Sequence, residues 1–229
     1  MGLFHNHFGH SKNSPVNDPK NAVNIPAQTP NTVENTVEDT TAPDAPVPFG
    51  FKTSWLCVKG FTPEEVIEKL GLKEPVVSSW KNAFANINNG CFVSPMLGSK
   101  FVLVVGWGTD IITDDPARMD EVGTMFHEVQ YFASHRVVDY AAWVKYKNGR
   151  KIRAYGYVGD VGEVLVNFGE PTPEEQALGF VNFLPDNDVD FHRYETPDED
   201  TVVQIAAAWG INPLEVDKYP ESTVYFCKF

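Results

Sequence analysis

The sequence predicts an α+β domain over residues 48–229: an antiparallel or mixed sheet with a ferredoxin-like βαββαβ start, then a β-meander and C-terminal helices. Three observations carry this. Helical stripes opening on Thr-Pro or Asp-Pro alternate with β-prone runs. Three further β-prone runs follow, two of them joined through Asn148-Gly149, whose positive-φ residues suit a tight hairpin turn. The 16 Phe, 8 Tyr and 5 Trp supply enough large apolar surface for a sizeable core.

The elements follow in order. Phe51 to Val58 is β-prone and bounded by Gly60, which marks a first strand. Thr62-Pro63-Glu64-Glu65 then has the makings of a capping box, with Pro at the first helical position. Val66, Ile67 and Leu70 form the apolar stripe, and Gly71 ends the helix. Val77, Trp80, Phe84 and Ile87 recur at helical spacing, so a second helix is expected over residues 76–88 as an insertion. Cys91 to Ser94 and Phe101 to Val105 read as strands, the second apolar on both faces and therefore central. Asp115-Pro116 opens a helix with Met119, Val122, Met125 and Val129 in its stripe, and a strand follows from Val129 to Ala133. The meander comprises Ala141 to Lys147, Arg150 to Val158 and Glu163 to Phe168. Thr172-Pro173 and Thr196-Pro197 each start a helix, and Thr223 to Cys227 reads as a terminal strand.

Residues 1–47 are rich in Asn, Pro, Thr, Val and Asp, with Phe4 and Phe8 as the only aromatics up to Pro46. Such a segment buries too little apolar surface to offset its chain entropy, so a disordered tail is expected. Its His5, His7 and His10 have no fixed geometry to hold a metal. The formal charge of −13 argues against nucleic acid and fits a basic protein partner. The start shows no basic segment followed by an apolar run, and the longest apolar run, Phe101 to Trp107, is too short for a bilayer. A cytoplasmic protein with no membrane association is expected. Cys57, Cys91 and Cys227 lack paired spacing and read as buried thiols.

The stretches from Glu128 to Trp143, Arg153 to Tyr157, Gly162 to Leu165 and Gly169 to Glu175 carry a resemblance. With Lys52 to Leu56 and Phe92 to Pro95, they resemble a family of bacterial proteins with no established activity. The resemblance spans most of residues 51–215. It implies a bacterial, cytosolic accessory protein, permits an immunity-type role, and carries over no catalytic residue.

Several familiar patterns fail on chemistry. His127-Glu128 has Tyr131 where a zinc-protease helix needs its second His. Ser134, His135 and Asp139 are close in sequence without a nucleophile elbow. Asp186, Asp188 and Asp190 are followed by Phe191 and Pro197 where a calcium loop needs Gly and Glu. Gly106-Trp107-Gly108 lacks the rest of a dinucleotide fingerprint. No cofactor and no metal is expected.

One charge pattern stands out. Between Arg136 and Arg153 six bases face one acid, Asp139. A two-residue turn sets Lys147 opposite Arg150 and Tyr146 opposite Lys151. Continued without interruption, that register puts Lys145 and Trp143 on one face and Arg153 and Tyr155 on the other. Either the seven carboxylates from Asp186 to Asp200 or an external anion would offset the bases. The candidate partner-binding residues are therefore His135, Arg136 and Asp139, together with Lys145, Lys147, Arg150, Lys151, Arg153 and Tyr155. An alternative reading, a hydrolase-like site, would use His127, His135, Arg136 and Asp139, with Tyr155 beside them.

Overall fold

Antiparallel pairing organises the chain. The computed structural model describes residues 39–98, 100–106, 115–182 and 196–229. Among these, nine strands form one sheet. They are β1 (Ser54–Lys59), β2 (Lys73–Ser79), β3 (Cys91–Val93), β4 (Phe101–Val105), β5 (Glu128–His135), β6 (Tyr140–Lys147), β7 (Arg150–Val158), β8 (Glu163–Phe168) and β9 (Thr223–Lys228). Their order is β2-β9-β3-β4-β1-β5-β6-β7-β8, and every neighbouring pair is antiparallel.

Central strands are apolar on both sides because helices cover both sides. Along β1 the side chains alternate between two cores: Leu56 and Val58 enter one, Trp55 and Cys57 the other. The first core is closed by Val66, Ile67 and Leu70 of α1 (Pro63–Leu70) and by Met119 and Val122 of α3 (Pro116–Met125). Trp80 and Ala83 of α2 (Trp80–Ala85) and Val202, Ile205, Ala206 and Trp209 of α5 (Glu199–Trp209) close the second. The short α4 (Pro173–Ala177) also lies at this second side, where Glu175 bonds to Trp143. Each buried aliphatic side chain contributes about 1.5–3 kcal/mol, so the two cores together drive the fold. Both Thr-Pro-Glu-Glu segments form complete capping boxes, at Thr62 and Thr172, and Gly71 takes the left-handed conformation that ends α1.

Several expectations change. The helix expected over residues 76–88 is divided: Lys73–Ser79 is strand β2, and α2 begins only at Trp80. Val76 and Val77 suit a strand, and they pair with Phe226 and Tyr225 of β9. Ser79, in an extended conformation, then caps α2 by accepting from the Asn82 amide. The expected tail lies outside the described residues as far as residue 38. Its last part joins the domain. The Thr40 carbonyl accepts from the Ser79 amide at 2.7 Å, and the Asp44 carboxylate accepts from the Trp80 and Lys81 amides at 2.6 and 3.0 Å.

A ferredoxin-like start is not established as a unit. The sheet runs on past its four strands through β9 and β6, and β2 with α2 stands between α1 and β3. The coarser expectation of an α+β chain built on an antiparallel sheet holds.

The β6–β7 hairpin turns at Asn148 and Gly149, with φ of 53° and 71°. Lys147 lies opposite Arg150 and Tyr146 opposite Lys151, as the turn dictates. A bulge between Lys145 and Tyr146 then shifts the ladder, so Lys145 lies opposite Arg153 and Trp143 opposite Tyr155. The expected face assignment is thereby overturned. One extra residue, Ile152, moves Arg153 and Tyr155 onto the face of Lys145 and Trp143.

Candidate functional site

Three chain segments meet at one end of the sheet. The β5–β6 turn, residues 136–139, is bonded to the β7–β8 turn: Gly159 donates to the Asp139 carbonyl at 3.1 Å and Asp160 to that of Val138 at 3.3 Å. Asp139 holds φ of 48°, a conformation that Asp tolerates better than most residues. The N-terminus of α5 arrives beside them. Asp198 caps it by accepting from the Thr201 amide at 2.8 Å, and acidic side chains in the first turn complement the helix dipole.

Glu199 ties these segments together. Its Oε1 accepts from the Lys52 amide at 2.8 Å and lies 3.0 Å from the Ser134 hydroxyl, while Oε2 pairs with Arg136 Nε at 2.8 Å. The guanidinium lies 5.5 Å from the centre of the Phe51 ring. Phe51, Arg136, Asp139, Asp198, Glu199 and Asp200 line an open hollow of about 320 Å³. On the adjoining turn Asp160 and Glu163 add exposed carboxylates. Val137 and Val161, each 67% exposed, stand among these charges. The surface is thus acidic with isolated apolar points, and Arg136 and Lys52 are the bases beside it.

The expected candidate residues are not brought together. His135, Arg136 and Asp139 belong to this acidic end. Lys147 and Arg150 sit at the hairpin tip, roughly 26 Å away at about 3.3 Å per strand residue. Lys145 lies 4.8 Å from the Trp209 ring on one face, whereas Lys151 pairs with Asp120 of α3 at 2.6 Å on the other. His127 is exposed next to β5, at the opposite end of that strand from His135. Ser134 bonds to Gly50 and Glu199, so no Ser-His-Asp constellation forms. Of the six bases only Arg136 meets the carboxylates of residues 198–200, through Glu199, and the hairpin tip with Lys147 and Arg150 lies at the opposite end. Asp186, Asp188, Asp190 and Glu195 lie outside the described residues.

Arg153 and Tyr155 are interior groups. The Arg153 side chain is fully buried, with Nε 2.9 Å from Oε1 of the equally buried Glu175. Its Nη1 donates to Asn167 Oδ1 at 2.7 Å and to the Gly169 carbonyl at 2.9 Å, and Nη2 donates to Asn182 Oδ1 at 3.1 Å. Trp143 Nε1 donates to Glu175 Oε1 at 2.8 Å, and the Thr172 amide donates to Oε2 at 2.7 Å. The Tyr155 ring packs on Trp143 and Phe180, and burial pushes its hydroxyl pKa up. This network is a structural staple. A bulge brought Arg153 to it, and nothing in the sequence pattern signals the bulge.

Lys151 and Tyr146 make Asp120 a sensor of acid. Burial raises the Asp120 pKa, but hydrogen bonds from Lys151 and Tyr146 outweigh it and hold the carboxyl below its ordinary value. A depressed carboxyl contributes stability above its unfolded pKa, and that contribution is lost as pH falls through the folded value. Asp120→Asn should therefore unfold at lower urea than the parent at pH 7, with the gap smaller at about pH 3. A gap of equal size at both values would rule out this linkage.

No family model, curated protein or solved structure matches the chain. Among the described residues no helix is long and apolar enough to cross a membrane, and no group of three or more His, Cys, Asp or Glu is placed to hold a metal ion.

Proposed function

We propose that this chain is a protein-binding accessory protein of immunity type, whose acidic sheet end receives a basic partner. The observation that carries the reading is the hollow at Phe51, Arg136, Asp139 and Asp198 to Asp200, with Val137 and Val161 exposed beside it. Carboxylates around apolar points suit a surface that presents Lys or Arg between apolar residues, because opposite potentials steer encounter and apolar contact holds the complex. All but one unit of the net charge of −13 belongs to residues 39–229, which adds long-range attraction for such a partner. The hydrolase-like alternative has no comparable support: His135, Arg136 and Asp139 lie at the acidic end, but His127 is beyond the far end of β5 and Tyr155 is buried in the core.

The bacterial, cytoplasmic setting is part of the same proposal and rests on the resemblance described above. So does a finer reading of the fold: the order β3-β4-β1-β5, with α1 and α3 packed on one core, favours a ferredoxin-like kernel enlarged by strands on both sides.

A pull-down with the product of the neighbouring gene tests the partner, and an arginine-rich peptide carrying apolar residues tests the surface. The full chain should bind the peptide at low salt and lose about tenfold in affinity by 0.3 M salt, where charges are screened within several Å. Asp160→Lys, Glu163→Lys and Asp200→Lys combined should abolish binding, since these exposed side chains reverse the local charge without removing the Asp198 cap. Lys147→Glu with Arg150→Glu, at the far end, should not weaken it. Undiminished binding by the triple variant would sink the proposal.

A further inference from the structure

We propose that Cys91 and Cys227 are a latent cross-strand disulfide, a reversible oxidation site that fastens β9 to β3. The two residues are direct register partners in the antiparallel β3–β9 pair. Opposite residues on such a pair project from the same face, and both side chains enter the core that α1 and α3 close. Both cysteines are free and have no exposed surface. Directly opposed Cα atoms lie about 4.5–5.5 Å apart, inside the roughly 4.4–6.8 Å that a disulfide spans.

The backbone around the pair fits the same reading. Gly90, next to Cys91, is so close to β9 that an added Cβ would stand 2.2 Å from the Cys227 carbonyl oxygen. On its other side β9 meets β2 through an irregular register between Lys73 and Val76. Cys57 has no such partner. It points into the other core, across the sheet.

Burial sets the kinetics. It pushes the Cys91 thiol up to about 12 and the Cys227 thiol up to about 11, so little thiolate exists near neutrality and the closed sheet oxidises slowly. With hydrogen peroxide as oxidant, one thiolate attacks a peroxide oxygen, giving a sulfenic acid and releasing hydroxide. The second sulfur displaces the sulfenic oxygen, which leaves as water once protonated. The S–S bond forms, both sulfurs are oxidised, and one peroxide becomes two waters. A dithiol reverses the step by exchange. Once formed, the bridge closes a loop that contains most of the domain and fixes β2-β9 to the rest of the sheet.

The test uses the full chain. After incubation with hydrogen peroxide, quenching and alkylation under denaturing conditions, the number of free thiols should fall from three to one. Proteolysis should release one peptide containing Cys91 joined to one containing Cys227, and dithiothreitol should separate them. The oxidised protein should unfold at higher urea than the reduced protein, with the difference erased by dithiothreitol. Cys57→Ala should leave the cross-linked peptide unchanged, whereas Cys91→Ala should remove it. Three alkylatable thiols after oxidation, a bridge involving Cys57, or a product linking two chains would each overturn the proposal. The peptide mapping on the parent protein decides the matter even if a cysteine variant fails to fold.

Discussion

Arg153→Met should destabilise the domain by about 3–5 kcal/mol, more than a typical core truncation, because it strands Glu175 as a buried carboxylate. Both side chains are fully buried, and Glu175 would keep only Trp143 Nε1 and the Thr172 amide as donors. Glu175→Met should cost a similar amount, since it leaves a guanidinium without an anion. Changing both, Arg153→Met with Glu175→Met, should cost clearly less than the sum of the singles, because two apolar groups leave no buried charge behind. Urea unfolding of the four proteins at pH 7 measures the coupling. Additive losses would mean that the pair is held by its separate hydrogen bonds and not by mutual neutralisation.

The same pair shows where reading the sequence stops. Local chemistry was legible: Thr62 and Thr172 cap where their Thr-Pro-Glu-Glu segments require, and Asn148-Gly149 sets the hairpin register for the first two pairs. Those features depend on neighbours in the chain. Arg153 depended on a bulge at the third pair, which no residue type demands, so its side chain moved to the other face of the sheet, where it is fully buried. The β2 segment failed for a related reason. Val77, Trp80 and Phe84 have helical spacing, yet pairing with β9, which comes almost 150 residues later, wins over Val76–Ser79. At the acidic end the sequence marked Arg136, Asp139 and the carboxylates up to Asp200, but not Asp160 or Phe51, because segments from distant positions supply them. Composition gave the sign of the surface charge. Only the fold separates that charge into an acidic end and a basic tip.

Trp209→Ala should cost about 3–5 kcal/mol, the range for truncating a buried aromatic side chain, and its consequences should reach the acidic end. The indole is almost buried, with its centre 5.6 Å from that of Phe132, and its Nε1 donates to Thr172 Oγ1 at 3.2 Å. Lys145 Nζ lies 4.8 Å from the ring, and Gln130 Nε2 donates to the Trp209 carbonyl at 3.3 Å. The last turn of α5 is therefore fastened to β5, β6 and the cap of α4 through one side chain. Trp209→Phe keeps an aromatic contact with Phe132 and loses the bond to Thr172, so it should cost only about 1–2 kcal/mol. Lys145→Ala, which removes a half-buried cation from the ring edge of the core, should cost less than either, about 0.5–1 kcal/mol. Urea unfolding ranks the three. The order matters beyond stability, because α5 carries Asp198, Glu199 and Asp200 at its other end. If Trp209 holds the helix in register, Trp209→Ala measured under folded conditions should also weaken binding of the arginine-rich peptide, although the substitution lies a full helix length from the carboxylates. Unchanged binding with reduced stability would show that Glu199, through Arg136, Ser134 and the Lys52 amide, fixes the acidic end without help from the helix C-terminus.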